Sequence, residues 1–302
     1  MDQDTRFAVL IDADNISEKY IRIILEETAS LGIATYKRIY GDFTSPHLNN
    51  WKTVLLDNSI IPMQQYGYTT GKSSTDSAMI IDAMDILYSG NVGGFCIVSS
   101  DSDFTRLAAR LREAGMIVIG MGEAKTPKPF IAACNQFKYL DILYANNLKE
   151  LASESRKNRE KARKLRETLA NDQQASAKTA EAGSKSEPSS RSRRRQPKEE
   201  VKEEPVREEA HEEPAPAPPV DLDTITDAIL AIVEEFSDDD GWIIISDVGN
   251  QLAKRYPDFD VRNYGHKKLS SFLQSLSSLE VRRERGSGSR NSQLIFVRIR
   301  QN

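Results

Sequence analysis

Over the first 145 residues, short apolar runs alternate with longer stretches whose apolar positions recur three or four residues apart. Arg6 to Asp12 is a near-continuous apolar run, which predicts a strand buried on both faces and therefore central in its sheet. From Ser17, apolar residues at Tyr20, Ile21, Ile24, Leu25 and Leu31 predict a helix that Gly32 stops. Further strands are predicted at Ala34 to Tyr40, Ile60 to Gln65, Phe95 to Ser99 and Met116 to Met121. Helices are predicted at Pro46 to Leu56, from Asp76 to near Gly90, and at Ser102 to Ala114, with one more helix and a short final strand or turn within Pro127 to Tyr144. In the helix after Asp76, Ile80, Ile81, Met84, Leu87 and Tyr88 define the expected apolar face. Such β-α-β alternation predicts parallel strands joined by right-handed crossovers, hence an α/β domain of three layers around a central parallel sheet over residues 1–147.

Beyond residue 148 this pattern lapses. Lys149 to Leu169 is helix-prone but highly charged, and 170–220 is rich in Ala, Ser, Glu and Pro, so 148–220 is predicted to be a charged and then disordered linker. Its arginine run, Arg191 to Arg195, is followed by eight glutamates between Glu199 and Glu213, the composition of a self-neutralising tether. Apolar periodicity returns at 221. Ile225, Ile229, Ile232, Val233 and Phe236 form one helical stripe, and further helices are predicted at Ile244 to Leu252 and Tyr264 to Leu276. Two strands, Leu279 to Arg285 and Gln293 to Arg300, then flank Gly286-Ser-Gly-Ser-Arg290 as a hairpin. Helices followed by a terminal hairpin predict a small winged-helix domain at 221–302.

Composition adds constraints to this outline. The 302 residues are 39% hydrophobic and 28% charged with net charge −4, which indicates a soluble protein. No apolar run is long enough to span a bilayer and the first residues are acidic rather than a leader, so the expected location is cytoplasmic. Cys96 and Cys134 lack zinc-ligand spacing and are expected to be buried thiols; His47, His211 and His266 are too scattered for a histidine-based catalytic unit. Charge is polarised, however. Lys254 to Arg300 holds eleven Lys or Arg against four Asp or Glu, net +7 inside an acidic chain, the footprint of a surface for a phosphate backbone.

The candidate chemistry is acidic. Val9-Leu-Ile-Asp12-Ala-Asp14-Asn15 and Cys96-Ile-Val-Ser-Ser-Asp101-Ser-Asp103 both bring carboxylates to the ends of predicted strands, and Asp76 opens a predicted helix. In a parallel sheet these three places share the carboxyl edge, where active sites assemble. Crowded carboxylates repel unless a cation lies between them, and an all-oxygen donor set suits Mg²⁺ or Mn²⁺. Asp12, Asp76, Asp101 and Asp103 are thus the candidate ligands, with Asp12 and Asp101 central. Asn15 is placed to orient water or a phosphate, Ser99 and Ser100 to orient water or a ligand, and Lys72 to neutralise a phosphate. Each acid taken alone could equally be a helix cap; four converging acids are harder to explain in that way.

These motifs also carry a resemblance. Through Leu10-Ile-Asp-Ala-Asp-Asn15, Gly71-Lys-Ser-Ser-Thr-Asp76 and Val98-Ser-Ser-Asp-Ser-Asp-Phe104, residues 7 to about 145 resemble the NYN domain, a branch of the PIN-like ribonuclease superfamily with a Rossmann-like fold. The resemblance implies a metal-dependent ribonuclease whose acids match Asp12, Asp76, Asp101 and Asp103, with Asn15 as the accompanying amide. It also suggests Asp82, which the helical spacing places opposite the apolar face. Gly241-Trp-Ile, Tyr256-Pro-Asp-Phe-Asp260 and Tyr264-Gly-His-Lys-Lys-Leu-Ser-Ser-Phe-Leu273 resemble the OST-HTH or LOTUS domain, a winged helix associated with RNA. On that resemblance Tyr264, His266, Lys267 and Lys268 begin a recognition helix, and Arg282, Arg283, Arg285 and Arg290 decorate the wing; Phe272 is read as core. The expected function is RNA hydrolysis, with the tethered C-terminal domain raising the local RNA concentration. Two rivals share these residues: a non-catalytic RNA-binding regulator, and a haloacid-dehalogenase-type phosphatase using Asp12 of Asp12-Ala-Asp14 as nucleophile, against which Ile16 replaces the usual Thr or Val.

Overall fold

The structure is a computed structural model that describes residues 5–66, 74–180, 220–285 and 293–300. Six strands, β1 (Arg6–Asp12), β2 (Ile33–Gly41), β3 (Ile61–Gln64), β4 (Gly94–Val98), β5 (Ile117–Gly122) and β6 (Gln136–Tyr139), form one parallel sheet in the order β3-β2-β1-β4-β5-β6. Its middle is β1. Alternate side chains of that strand enter two separate cores, Phe7, Val9 and Ile11 on one face and Ala8 and Leu10 on the other, all fully buried. The first core is closed by α1 (Ile21–Leu31), α2 (Trp51–Asn58) and the start of α6 (Leu140–Ala180). The second is closed by α3 (Ser74–Ser89), α4 (Thr105–Glu113) and α5 (Lys128–Ala133), which completes the expected three-layer α/β/α arrangement.

Two local differences from the sequence pattern matter. The face α3 turns to the sheet is Thr75, Met79, Ala83 and Ile86; of the expected face, Ile80, Met84 and Leu87 pack partly buried against the same core, while Ile81 and Tyr88 are exposed. Apolar residues lie nearly all round this helix, so periodicity is ambiguous, and the small Thr75 and Ala83 allow the closer approach. With the face rotated, Asp82 no longer points away from the sheet; it accepts hydrogen bonds from the Tyr40 hydroxyl and the Arg38 guanidinium. The second difference is at Pro46 to Leu56, where a 3₁₀ turn (Pro46–Leu48) precedes α2. The helix-prone charged stretch is helical and α6 continues past Leu169 to Ala180.

From 221 the chain forms α7 (Leu222–Phe236), β7 (Ile243–Ile244), α8 (Ile245–Arg255), α9 (Leu269–Ser275), β8 (Leu279–Arg285) and β9 (Gln293–Ile299), with an antiparallel sheet in the order β7-β9-β8. Ile225, Ile229, Ile232 and Val233 of α7 pack with Val248, Leu252, Phe272 and Val297 in one core. The expected helix from Tyr264 is broken. Asp260 caps a 3₁₀ turn (Val261–Tyr264), Gly265 takes the left-handed φ of +79°, and α9 starts only at Leu269. Tyr264, His266, Lys267 and Lys268 therefore precede the helix instead of opening it.

The chain divides into two units, Met1–Asn147 with Ala215–Asn302, and Leu148–Pro214. Within the first unit, the winged-helix residues touch the α/β domain directly. The Phe137 amide donates to the Pro257 carbonyl at 2.8 Å, the Tyr139 hydroxyl to Asp258 at 2.9 Å and the Asn146 amide to the Arg262 carbonyl at 2.9 Å. Arg262 grips Glu27 with both terminal nitrogens, at 2.5 and 2.8 Å, and Lys138 Nζ lies 2.8 Å from Asp260. Burial by itself would raise the Asp260 carboxyl, but hydrogen bonds from Arg262 and the charge of Lys138 outweigh it and hold the group well below the usual carboxylate range. The sequence offered one clue, a lysine inside the apolar strand Gln136-Phe-Lys-Tyr139.

Replacing Arg262 by Ala leaves Glu27 and Asp260 with Lys138 as their shared cation, and we expect the junction to be weakened by about 2 kcal/mol. That is less than a fully buried pair costs, because a third of the Arg262 side chain is exposed. Thermal melting of Arg262→Ala against the parent would measure it. Since the folded Asp260 value is depressed, its contribution is complete above the unfolded value of about 3.9 and is lost only as pH falls below that. The Arg262-dependent part of the melt should be flat from neutral pH to about pH 4 and vanish in stronger acid.

Candidate metal centre

β1 continues to β2 and β3 on one side and β4 continues to β5 and β6 on the other, so the sheet's topological switch lies between β1 and β4. That junction opens a crevice at the carboxyl ends of the strands. Ile11 pairs with Val98, which sets Asp12 beside Ser99 just past the paired region. Asp12 is fully buried. One of its oxygens accepts from the Asp14 amide at 3.1 Å, and the other from Ser99 Oγ at 2.7 Å and Asn15 Nδ2 at 2.8 Å. Desolvation raises its pKa above the usual value; the Ser99 and Asn15 hydrogen bonds oppose that, and the charges of Asp76 and Asp14 add to it.

Ser99 also accepts from the Asp101 amide at 3.0 Å, so one hydroxyl ties the end of β1 to the segment that carries Asp101. Asp101 caps a 3₁₀ turn (Ser102–Phe104) by accepting from the Asp103 amide at 2.9 Å, and the wholly buried Phe104 anchors that turn. Asp76 stands in the first turn of α3. Asp76, Asp101 and Asp103 each place one carboxylate oxygen within 4.8 Å of the others. Three oxygens from two elements, α3 and the 3₁₀ turn, suit a small divalent cation, and the capping bond of Asp101 occupies one of its two oxygens, leaving the other for a ligand. Asp12, expected as a central ligand, is not one of the three; it lies next to them, close enough to Asp76 for their charges to interact. Asn15 faces Asp12 and orients it. Asp82, bound to Arg38 and Tyr40, is outside the group.

The neighbouring strand shapes the crevice. Ser100 Oγ accepts from the Glu123 amide at 2.9 Å, and a Cβ on Gly122 would lie 2.6 Å from the Ser99 carbonyl, so the close approach of β5 requires glycine there. Glu123, which no motif singled out, accepts from the Tyr20 hydroxyl at 3.1 Å and pairs with Lys125 at 2.7 Å. The only sequence signal for it was its place at a strand end. Burial of Asp12 with both oxygens engaged also disfavours the phosphatase reading, in which that carboxylate must attack.

Of the expected RNA-binding residues, Lys72 and Arg290 lie outside the described residues, as does the side chain of Arg285. Tyr264 packs against Phe259 and Phe272, and its hydroxyl donates to the Val220 carbonyl at 3.0 Å. Phe272 is buried, as expected. His266 meets the Phe272 ring edge-on, while Lys267 and Lys268 are exposed. Arg282 lies 4.3 Å over the Trp242 ring and pairs with Glu284, and Arg283 is exposed on the hairpin.

Comparison with known proteins gives two family matches. Residues 6–141 match the NYN domain and residues 221–290 match the OST-HTH/LOTUS domain. Each match covers less than half of the chain, and the region of the first has the six-stranded parallel α/β fold described above. A crystal structure of a Vibrio parahaemolyticus protein of unknown function is similar at 16% identity and a TM-score of 0.39, covering 46% of this chain and 94% of that one. A solution structure of residues 175–257 of a Chromobacterium violaceum protein is similar at 33% identity and a TM-score of 0.22, covering 26% of this chain and 82% of that one. No curated protein matches the chain. Among the described residues, no helix is long and apolar enough to cross a membrane.

Asp12→Asn removes a buried charge whose ionised form is penalised by desolvation. In chelator we expect the melting temperature of this variant, measured against the parent's, to rise between mildly acidic and neutral pH. Because the folded Asp12 value is raised, the parent gains stability as pH falls through it, so the difference should fall on acidification.

Proposed function

We propose that the protein is a metal-dependent ribonuclease. The observation that carries this reading is the convergence of Asp76, Asp101 and Asp103 at the β1/β4 switch point, beside the buried Asp12. These acids would hold Mg²⁺ or Mn²⁺ in an oxygen-donor site. Bound there, such an ion supplies Lewis acidity toward a phosphodiester and lowers the pKa of water. The chain's own residues do the rest. Asp101 and Asp103 are presented on a turn anchored by Phe104; Asp12 lends negative charge from below; Ser99 and Asn15 keep its carboxylate fixed. Pre-organised charge of this kind needs little rearrangement when substrate arrives.

RNA is the favoured substrate because an NYN domain and an OST-HTH/LOTUS domain occur in one chain whose C-terminal part is strongly basic. Capture falls to His266, Lys267, Lys268, Arg282 and Arg283, with Lys72, Arg285 and Arg290 as further contributors; Tyr264 serves that surface through the core beneath it. A cytoplasmic setting accords with two buried thiols, Cys96 and Cys134, each pushed up to about 12 by burial and so unreactive as thiolates.

Labelled single-stranded and structured RNAs incubated with Mg²⁺ or Mn²⁺ would test the reading. Cleavage should require the ion, stop in chelator, and fall in Asp101→Asn by more than the roughly 10–100-fold typical of changes beyond the ligands themselves. Persistent cleavage by Asp12→Asn with Asp101→Asn would place the activity elsewhere. Tight RNA binding by the parent without any cleavage would leave a non-catalytic RNA-binding regulator.

A further inference from the structure

Contact between the two domains creates a groove that belongs to neither alone. On one side of Pro257, a cleft of about 520 Å³ is lined by Arg112 and Asn135 of the α/β domain and by Lys254 and Arg255 of α8. Among the described residues, no carboxylate lines it. A second cleft, of about 620 Å³, shares Ala132, Arg255 and Pro257 with the first, adds Lys128 at the start of α5, and reaches Ala124 and Thr126 beyond the carboxyl end of β5. The end of β5 is also where the Glu123 amide is tied to Ser100, next to Asp101. The joined clefts therefore run from the last turn of α4 toward the edge that carries the acids.

The charges in this groove are positioned for an anion. Arg112 donates to the Ala132 and Ala133 carbonyls at 3.2 Å each, which fixes its guanidinium at the groove wall. Lys254 is exposed and Arg255 is shared with the exposed Glu235 at the rim. The two acids of the second cleft are already engaged: Asp258 accepts from Tyr139, and Asp221 caps α7 through Thr224. Four cations, two from each domain, thus border the trough; Asp221 and Asp258 keep their charge, so the cationic excess lies in the first cleft. Spaced cations along an open groove match a repeating phosphodiester rather than a single small anion. Arg112 stands seven residues after Thr105, about 10 Å further along the α4 axis, so a ligand reaching both the groove and the acids must span more than one nucleotide.

We propose that the junction groove binds the sugar–phosphate backbone of single-stranded RNA through Arg112, Lys128, Lys254 and Arg255, and leads that strand to the acidic site. This rests on the RNA-nuclease reading for its ligand and adds a binding surface that exists only while the domains are in contact. The Arg262–Glu27 and Lys138–Asp260 pairs then act as positioning residues for the groove.

The test uses the full chain carrying Asp101→Asn, so that RNA is not consumed, with fluorescent single-stranded oligoribonucleotides of increasing length. Lys254→Glu with Arg255→Glu, both exposed positions on α8, should weaken binding of the longer oligomers about tenfold or more. It should also flatten the salt dependence, by about 0.7 in log–log slope for each phosphate no longer neutralised. Lys128→Glu, on the other domain, should act in the same direction. Arg262→Ala should weaken binding as well, and Arg262→Lys should retain more of it. Unchanged affinity in the Lys254/Arg255 variant, with parent-like melting, would overturn the groove even if the unsubstituted protein cleaves RNA. Weakened binding in that variant, in a protein whose unsubstituted form cleaves nothing, would uphold the groove and sink the nuclease reading.

Discussion

Everything in the α/β domain depends on β1 being enclosed on four sides, by β2 and β4 along its edges and by two cores on its faces. Full enclosure forces every backbone group of the strand into the ladder and every side chain into an apolar layer. The strand can release a polar side chain only where the ladder stops. That point is Asp12, and because the chain turns one way after β1 and the other way after β4, it coincides with the switch in the sheet.

The price of a buried carboxylate there is visible in its surroundings. Three donors from Ser99, Asn15 and the Asp14 amide compensate part of the desolvation, and the remainder keeps the site electrostatically tense, with Asp76 close by. A stability optimum would remove this charge. On the proposed reading that negative charge serves binding of a cation, and stability and function would then pull in opposite directions at one residue.

The second domain changes what a tether would do. A flexible linker raises local concentration but leaves orientation free. The Glu27, Lys138, Asp260 and Arg262 contacts, together with the backbone bond from Phe137 to Pro257, restrict orientation as well. Buried ion pairs of this kind contribute modestly to net stability because desolvation offsets most of the attraction, yet they disfavour other arrangements strongly, since each leaves a charge unpaired. Their value here is geometric, and the junction groove follows from it.

Much of this was legible in the residues alone. The apolar run from Arg6 to Asp12, the strand and helix order, the convergence of Asp76, Asp101 and Asp103 and the basic C-terminal region all follow from local periodicity, strand-end position and charge count, which need no knowledge of partners. What failed was decided by contacts between distant segments. The face of α3 is rotated from the expected one because its apolar residues encircle the helix: Ile80, Met84 and Leu87 still pack against the core from its side, and the fit of Thr75 and Ala83 against the sheet selects the centre. Asp82 went with it, taken by Arg38 and Tyr40 from a strand more than forty residues away. The helix expected from Tyr264 stops because Gly265 adopts a left-handed turn and Tyr264 is needed in the core. Pairings such as Arg262 with Glu27, 235 residues apart, leave no periodic trace, since a charge at the surface of one domain looks the same in sequence whether it meets water or another domain. Sequence alone determined the elements and the acids they carry; the tertiary structure decided which faces meet, because that choice is made by shape and desolvation across the whole fold.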